Sequence, residues 1–451
     1  MPRLLMLAVL LVPGALVPGT AAADPWPLCV ARTAPVHTGV TEVSRTRVGR
    51  LVTLRLRSRA MGDEQSVRVL LPRHYDASGR KRYPVLYLLH GANATNTMWL
   101  DQDHIDRRLG DLPIIAVMPN GSENGQNGGY SDWFGTPAAG GAAAPAWESF
   151  HIRELVPFID AHFPTRASAG GRAIAGISMG GGGAAKYGAE FPGTFGYVGA
   201  FSGETDPLLP AAVAFQDKTC KWGDPALQPV RWQDNDATTL AGNLRGVRVF
   251  VRCGDGTPGP FDTPQPPADP AQAAVRQYVL LIELGAHLEN QRFVAALQAH
   301  GVSDVDVRFF PGSHTRPYWT RDTTEFVAWL REQLQHPVTV PPRFRVMSAH
   351  RRFTAWGWRF AAHRPSEASF VHLAVWRDAI TATGGGRIDV VSPPLYRPDA
   401  FYRWRSGAIL RRLRADRDGR LAFSFDLRSG RASHATWGPA TKDPTSAQRN
   451  G

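Results

Sequence analysis

Gly176-Ile177-Ser178-Met179-Gly180, running on into Gly181, Gly182 and Gly183, is the stretch that decides the fold. The pattern G-x-S-x-G sets a serine on a sharp strand-to-helix turn, its hydroxyl presented over the end of a sheet. So tight a turn forces the serine into strained backbone angles and brings strand and helix together, and larger neighbours would clash. Five residues alone are weak, because glycine-rich segments containing a serine arise by chance. The context is what counts: Arg172-Ala173-Ile174-Ala175 reads as a short buried strand, and Ala184-Ala185-Lys186-Tyr187-Gly188-Ala189 as the start of a helix.

Outward from this turn, strand-like and helix-like segments alternate. Tyr83–Leu89 and Pro113–Pro119 are nearly continuous apolar runs, as in parallel strands covered on both faces. Tyr197–Phe201, Val247–Val251 and Val305–Phe310 read as further strands, and Leu51–Leu56 with Ser66–Leu71 as an edge hairpin. Helices are expected over about Trp99–Leu109, Trp147–Phe163, Met179–Glu190, a long segment with Ile282, Ala286, Phe293 and Leu297 near one face, and Thr320–Leu334. The alternation predicts a mainly parallel sheet with helices on both faces, an α/β-hydrolase fold with the serine at a carboxyl strand end. Two long loops, Gly121–Pro145 and Gly254–Ala273, are expected to border the mouth of the site.

The chain opens Met1-Pro2-Arg3, continues as an apolar run from Leu4 to Val17 and reaches Ala21-Ala22-Ala23, the pattern of a secretory signal peptide over 1–23. Export is expected, either as a free extracellular protein or as one held at the cell wall. Cys29, Cys220 and Cys253 then allow one disulfide and leave one thiol, the pairing open. The expected layout is a catalytic domain over 24–335, a linker at 336–343, a small β-rich domain over 344–438 and a polar tail over 439–451. From Arg343 onward there are 20 Lys+Arg against 8 Asp+Glu, the whole of the net charge of +12. This asymmetry points to an anionic wall polymer or lipid for the last domain, against the plainer reading of a solvated basic surface. No phosphate loop, dinucleotide fingerprint or zinc spacing occurs, and no cofactor, metal or nucleic-acid partner is expected. Asp101-Gln102-Asp103-His104 does not converge on a helix as a metal cluster would.

A serine at its ordinary pKa needs a base, an acid to orient that base, and donors for an oxyanion. In this fold the chain order is serine, acid, histidine. His314, in Phe310-Pro311-Gly312-Ser313-His314-Thr315, follows the last strand and is the expected base. Asp255 directly after a strand, Asp262 in a proline-rich loop and Glu283 at the expected start of a helix are the candidate acids, and position alone favours Asp255. The oxyanion donors are expected to be the backbone N–H groups of Met179 and Ala92, with His90 shaping the loop that holds Ala92.

Tyr87-Leu88-Leu89-His90-Gly91, Tyr130-Ser131-Asp132-Trp133, Trp147-Glu148-Ser149-Phe150, Gly176–Gly180, Cys253-Gly254-Asp255 and Gly312-Ser313-His314 with Tyr318-Trp319 together resemble a secreted esterase family. That family includes formylglutathione hydrolase-like, feruloyl and acetylxylan esterases and the antigen 85 mycolyltransferases. In the antigen 85 branch the acid is a glutamate on the helix before the last strand, so the resemblance selects Glu283 over Asp255 and Asp262. His90-Gly91-Ala92-Asn93 and the glycines after Met179 depart from that branch and argue against transfer to trehalose. The resemblance implies a serine carboxylic-ester hydrolase acting on a small-molecule or cell-envelope ester. The alternatives are an antigen 85-like acyltransferase to a sugar or glycerol hydroxyl, and a noncatalytic wall-binding protein.

Overall fold

The computed structural model describes residues 29–440 apart from 123–126, 138–142, 211, 213–219, 264–266, 365–368 and 429. The expected signal peptide and almost all of the expected polar tail lie outside the described residues.

A short ladder joins β1 (Cys29–Ala31) to β7 (Gly135–Pro137). Beside it Cys29 is bonded to Cys220, which settles the pairing and leaves Cys253 as a buried thiol. The main sheet contains β2 (Val40–Val48), β3 (Leu51–Ser58), β4 (Glu64–Leu70), β5 (Val85–Leu89), β6 (Ile115–Pro119), β8 (Arg172–Ile177), β9 (Tyr197–Phe201), β10 (Arg248–Gly254) and β11 (Val305–Phe310). Its nine strands run β11-β10-β9-β8-β5-β6-β4-β3-β2, parallel from β11 to β6 and antiparallel from there to the β2 edge.

Strand side chains alternate between the two faces, and in β5 and β8 both faces are buried. Tyr87, Leu89 and Ile174 join one core cluster, while Leu86, Leu88, Ala173 and Ala175 join another on the opposite side. This is why those strands read as continuous apolar runs. Among the described residues the α-helices are α1 (Met98–Asp101), α2 (Ile105–Leu109), α3 (Val156–His162), α4 (Met179–Glu190), α5 (Pro229–Asp234), α6 (Pro270–Ala299) and α7 (Arg316–Gln333).

Several expected elements differ in detail. The helix expected over Trp99–Leu109 is two short ones, divided at His104, whose φ is +51°. The segment Trp147–Phe163 contains a π-helical stretch, Ser149–Leu155, ahead of α3. The long helix α6 begins at Pro270, capped by the Asp269 side chain, which accepts from the backbone N–H of Gln272. Glu283 therefore lies mid-helix, not at its start.

The C-terminal part forms a separate all-β domain. One sheet holds β12 (Arg343–Ser348), β15 (Val371–Trp376), β16 (Ala379–Thr383), β18 (Phe401–Ser406), β19 (Ile409–Arg414) and β21 (Ser433–Pro439). The other holds β13 (Arg352–Ala355), β14 (Trp358–His363), β17 (Gly386–Val391) and β20 (Ala422–Leu427). The stretch Phe353–Phe360, which reads as one strand, folds back on itself at Trp356-Gly357, where both residues have positive φ. The turn faces the first domain, and Trp356 N–H donates to Pro192 O at 2.8 Å. Asn243 makes a two-way bond with the backbone of Met347, and His350 enters a buried carboxylate cluster described below.

Candidate active site

Ser178 stands between β8 and α4 at φ +56°, ψ −123°, the strained geometry its sequence context demands. Glycine is obligatory around it. A Cβ on Gly176 would fall 2.2 Å from Gly180 O, and one on Gly180 would fall 2.2 Å from Leu89 O. The helix start is thus pressed against both neighbouring strands, which holds the serine Oγ at the carboxyl end of the sheet.

His314 follows β11 in the loop before α7. Its Nε2 lies 2.9 Å from Ser178 Oγ and its Nδ1 2.5 Å from Glu283 Oε2. Glu283 can only accept in its ionised form, so Nδ1 carries the hydrogen and Nε2 is left to accept from the serine. The second oxygen of Glu283 is also fully used: Oε1 accepts from Ser202 Oγ at 2.7 Å, Gly254 N–H at 2.5 Å and Cys253 Sγ at 3.4 Å. The carboxylate is completely buried and held from both sides. Burial and the adjacent carboxylate push the Cys253 thiol far up, so it stays protonated.

The other candidate acids do not reach His314 in this structure. Asp255 closes its own turn, accepting from Thr257 N–H and Oγ1 on an exposed loop. Asp262 accepts from Tyr318 OH at 2.6 Å, from Gly259 N–H at 2.7 Å and from Ser313 Oγ. It braces the residue before His314 without touching the imidazole.

Two further residues stand beside the site, Ser202 and Trp319. Ser202, at φ +46° after β9, donates to Glu283 and accepts from the Trp319 indole N–H at 3.1 Å. Trp319 meets the His314 ring edge to face at 4.9 Å between centroids. Trp319 belongs to the family-like Tyr318-Trp319 pair, whereas Ser202 is one serine among many.

The loop carrying Ala92 lies against the nucleophile, since a Cβ on Gly91 would meet Ser178 Cβ at 3.4 Å. His90 shapes it: Nδ1–H donates to Gly91 O at 2.8 Å, Nε2 accepts from Gly121 N–H at 2.9 Å, and the Tyr130 hydroxyl donates to His90 O. Burial lowers the His90 pKa and keeps the ring neutral, as this bonding requires. Met179 is the first residue of α4, where unpaired backbone N–H groups favour negative charge.

The remaining family-like motifs are scaffold. Asp132 accepts from both the N–H and Oγ of Ser149, and Lys186 Nζ donates to Tyr130 O at 3.1 Å and bonds Glu148 at 2.6 Å. Lys186 also bonds Glu190 at 3.0 Å, and His350 from the β domain bonds Glu190 at 2.5 Å, with Asp234 at 3.6 Å. Glu148, Glu190 and His350 are close enough to hold a cation, but the Lys186 ammonium already bonds both carboxylates. In the Asp101–His104 segment, Asp101 pairs with Arg68 and Asp103 with Arg108.

Residues 58–330 match the family described as "Putative esterase". Esterase Rv1288 of Mycobacterium tuberculosis is 37% identical over 218 residues, 46% of this chain and 46% of that protein. The diacylglycerol acyltransferase/mycolyltransferase Ag85A of the same species is 30% identical over 272 residues, 54% of this chain and 71% of that one. An S-formylglutathione hydrolase structure from Agrobacterium tumefaciens is 19% identical with a TM-score of 0.47, covering 65% of this chain and 99% of that chain. The chain spans about half the length of the curated esterase it matches. Because the family match covers more than half of its residues, the chain belongs to this esterase family.

Proposed function

We propose that the protein is a serine carboxylic-ester hydrolase working through an acyl-enzyme on Ser178. The observation that carries this is the continuous relay Ser178 Oγ, His314 Nε2, His314 Nδ1, Glu283 Oε2. Ser178 Oγ attacks the ester carbonyl as His314 Nε2 takes its proton, and the carbonyl oxygen becomes an oxyanion facing the N–H groups of Met179 and Ala92. Collapse of this intermediate breaks the bond to the alcohol oxygen, which leaves with the proton from His314. Water then enters, gives a proton to His314 and attacks the acyl carbon, and the acid departs as that proton returns to Ser178. Glu283 stays ionised throughout, holding the imidazole in one tautomer and stabilising its cationic form.

The 30% identity to an acyltransferase over most of that protein's length supports a second reading, in which the acyl group passes to a sugar or glycerol hydroxyl instead of water. Export fits the N-terminal pattern and is supported by the Cys29–Cys220 disulfide, a bond that persists in oxidising compartments. The substrate is then an ester met outside the cell.

Acyl partitioning tests the reading. Purified protein is given short- and long-chain activated esters with and without glycerol or trehalose, beside Ser178→Ala. Release of free acid regardless of acceptor, with an inactive variant, supports the hydrolase. Acyl polyol as the main product establishes the transferase instead, and activity in Ser178→Ala overturns both.

A further inference from the structure

Between the two domains lies a cleft of about 840 Å³ that none of the chemistry above uses. It is remote from Ser178. Arg172 lines it from the first residue of β8, while Ser178 follows the last, so the strand separates them by roughly 20 Å.

The sheet register shows how one wall is built. Directly paired residues in an antiparallel sheet share a face. Arg352 pairs with Ala361 and Ala361 with Asp389, while Thr354 pairs with Arg359 and Arg359 with Val391. These two rows form the outer face of the four-stranded sheet, turned away from the aromatic pair Phe353 and Phe360 in the domain core. The opposite wall comes from the π-helical turn and α3, where Ile152, Arg153, Val156, Pro157 and Ala161 lie on one helical face.

The charges in this cleft do not balance. Asp160 is paired with Arg172, and Asp389 with His363 and Arg387. Arg153, Arg352 and Arg359 take part in no ion pair among the described residues, and all three line the cleft. At its base the nine-tenths-buried Arg172 leaves its Nε–H without an acceptor. Apolar walls lie between these cations. The volume falls within the ~300–1,000 Å³ of small-molecule sites.

We propose that this interdomain cleft binds a phosphate-headed anionic lipid, its acyl chain against Ile152, Val156 and Val391 and its phosphate among Arg153, Arg352 and Arg359. A carboxylate offers two oxygens; a phosphate offers more acceptors to guanidinium groups arriving from two walls. Both domains contribute to the site. It gives the basic C-terminal domain a defined contact with an envelope lipid, independent of what Ser178 does.

The test is titration calorimetry of the full chain with lysophosphatidylglycerol below its micelle concentration, in parallel with lysophosphatidylcholine, myristate and glycerol phosphate. Two variants accompany it, the triple Arg153→Gln/Arg352→Gln/Arg359→Gln and Ala161→Trp, which fills the cleft from an exposed position. Saturable binding of lysophosphatidylglycerol is expected, weakened at least about tenfold in each variant and reduced by salt, with ester hydrolysis unchanged. The proposal is overturned if no binding heat is found, if either variant binds as the native protein does, or if any of the other three compounds binds as tightly.

Discussion

At the residue scale, the choice of acid is the sharpest result. Asp255 is favoured by position, but its side chain is spent on Thr257, a local turn that a polar, glycine-containing segment creates for itself. Glu283 is reached only through family likeness, because nothing in Ile282-Glu283-Leu284 says that this position of α6 faces β10 and the His314 loop. Glu283→Gln is expected to lower kcat by roughly 10³–10⁴-fold with the fold intact, and Asp255→Asn to leave it within a few-fold. Steady-state kinetics on a soluble ester separates them. Ser202→Ala removes one of the donors to Glu283 and strands the Trp319 indole N–H. A three- to tenfold fall in kcat at unchanged KM is expected, at about 1 kcal/mol for one such bond. No change in kcat would show that Gly254 and Cys253 suffice. Ser178 and His314 are legible because their chemistry dictates their surroundings; Ser202 is not, because its role exists only once β9 and α6 are neighbours.

At the scale of elements, the Gly-rich start of α4 was readable since each glycine answers a steric demand. Gly180→Ala puts a methyl where Leu89 O already lies, so a loss of more than about 3 kcal/mol is expected by urea denaturation. The break of Phe353–Phe360 at Trp356 was not readable: the local pattern is that of a strand, and a contact across the domain boundary, Trp356 N–H to Pro192 O, overrides it. The π-helical turn at Ser149–Leu155 is similarly hidden, its side chains being consistent with an ordinary helix. The disulfide spans 191 residues and anchors the β1–β7 ladder beside the loop that supports His90. Cys29→Ser with Cys220→Ser is expected to cost about 2–5 kcal/mol, read as a lower denaturation midpoint with hydrolysis retained at low temperature.

At the scale of the molecule, the two domains are joined through charge. Burial opposes a charge on His350, but Asp234, Glu190 and Glu148 outweigh it and lift the imidazole from 6.5 to about 10. A folded value above the unfolded one means that this contribution is complete below about pH 6.5 and disappears as pH rises through about 10. Glu190, raised to about 7 by burial and by Glu148, acts in the same direction, since ionising it costs stability. Glu148 is lowered to about 2: burial is outweighed by Lys186 and His350, and its contribution is lost only as pH falls from 4.5 through 2. The thermal midpoint should therefore fall by several degrees between pH 6.5 and 10, and His350→Gln should flatten that slope. A midpoint independent of pH in the native protein would contradict the account. Strand and helix alternation sufficed to foresee the hydrolase sheet, and short strands between turns the β domain. The docking of one on the other rests on single residues, His350, Asn243 and Trp356, whose partners lie more than a hundred residues away.

The central claim, that Ser178 is activated by His314 and held to it through Glu283, is tested most directly by labelling the purified protein with a fluorophosphonate and mapping the adduct by mass spectrometry. One adduct on the peptide containing Ser178 is predicted, formed at least about a hundredfold more slowly in His314→Ala. An adduct elsewhere, or none, or an equal rate in the His314 variant, would contradict it.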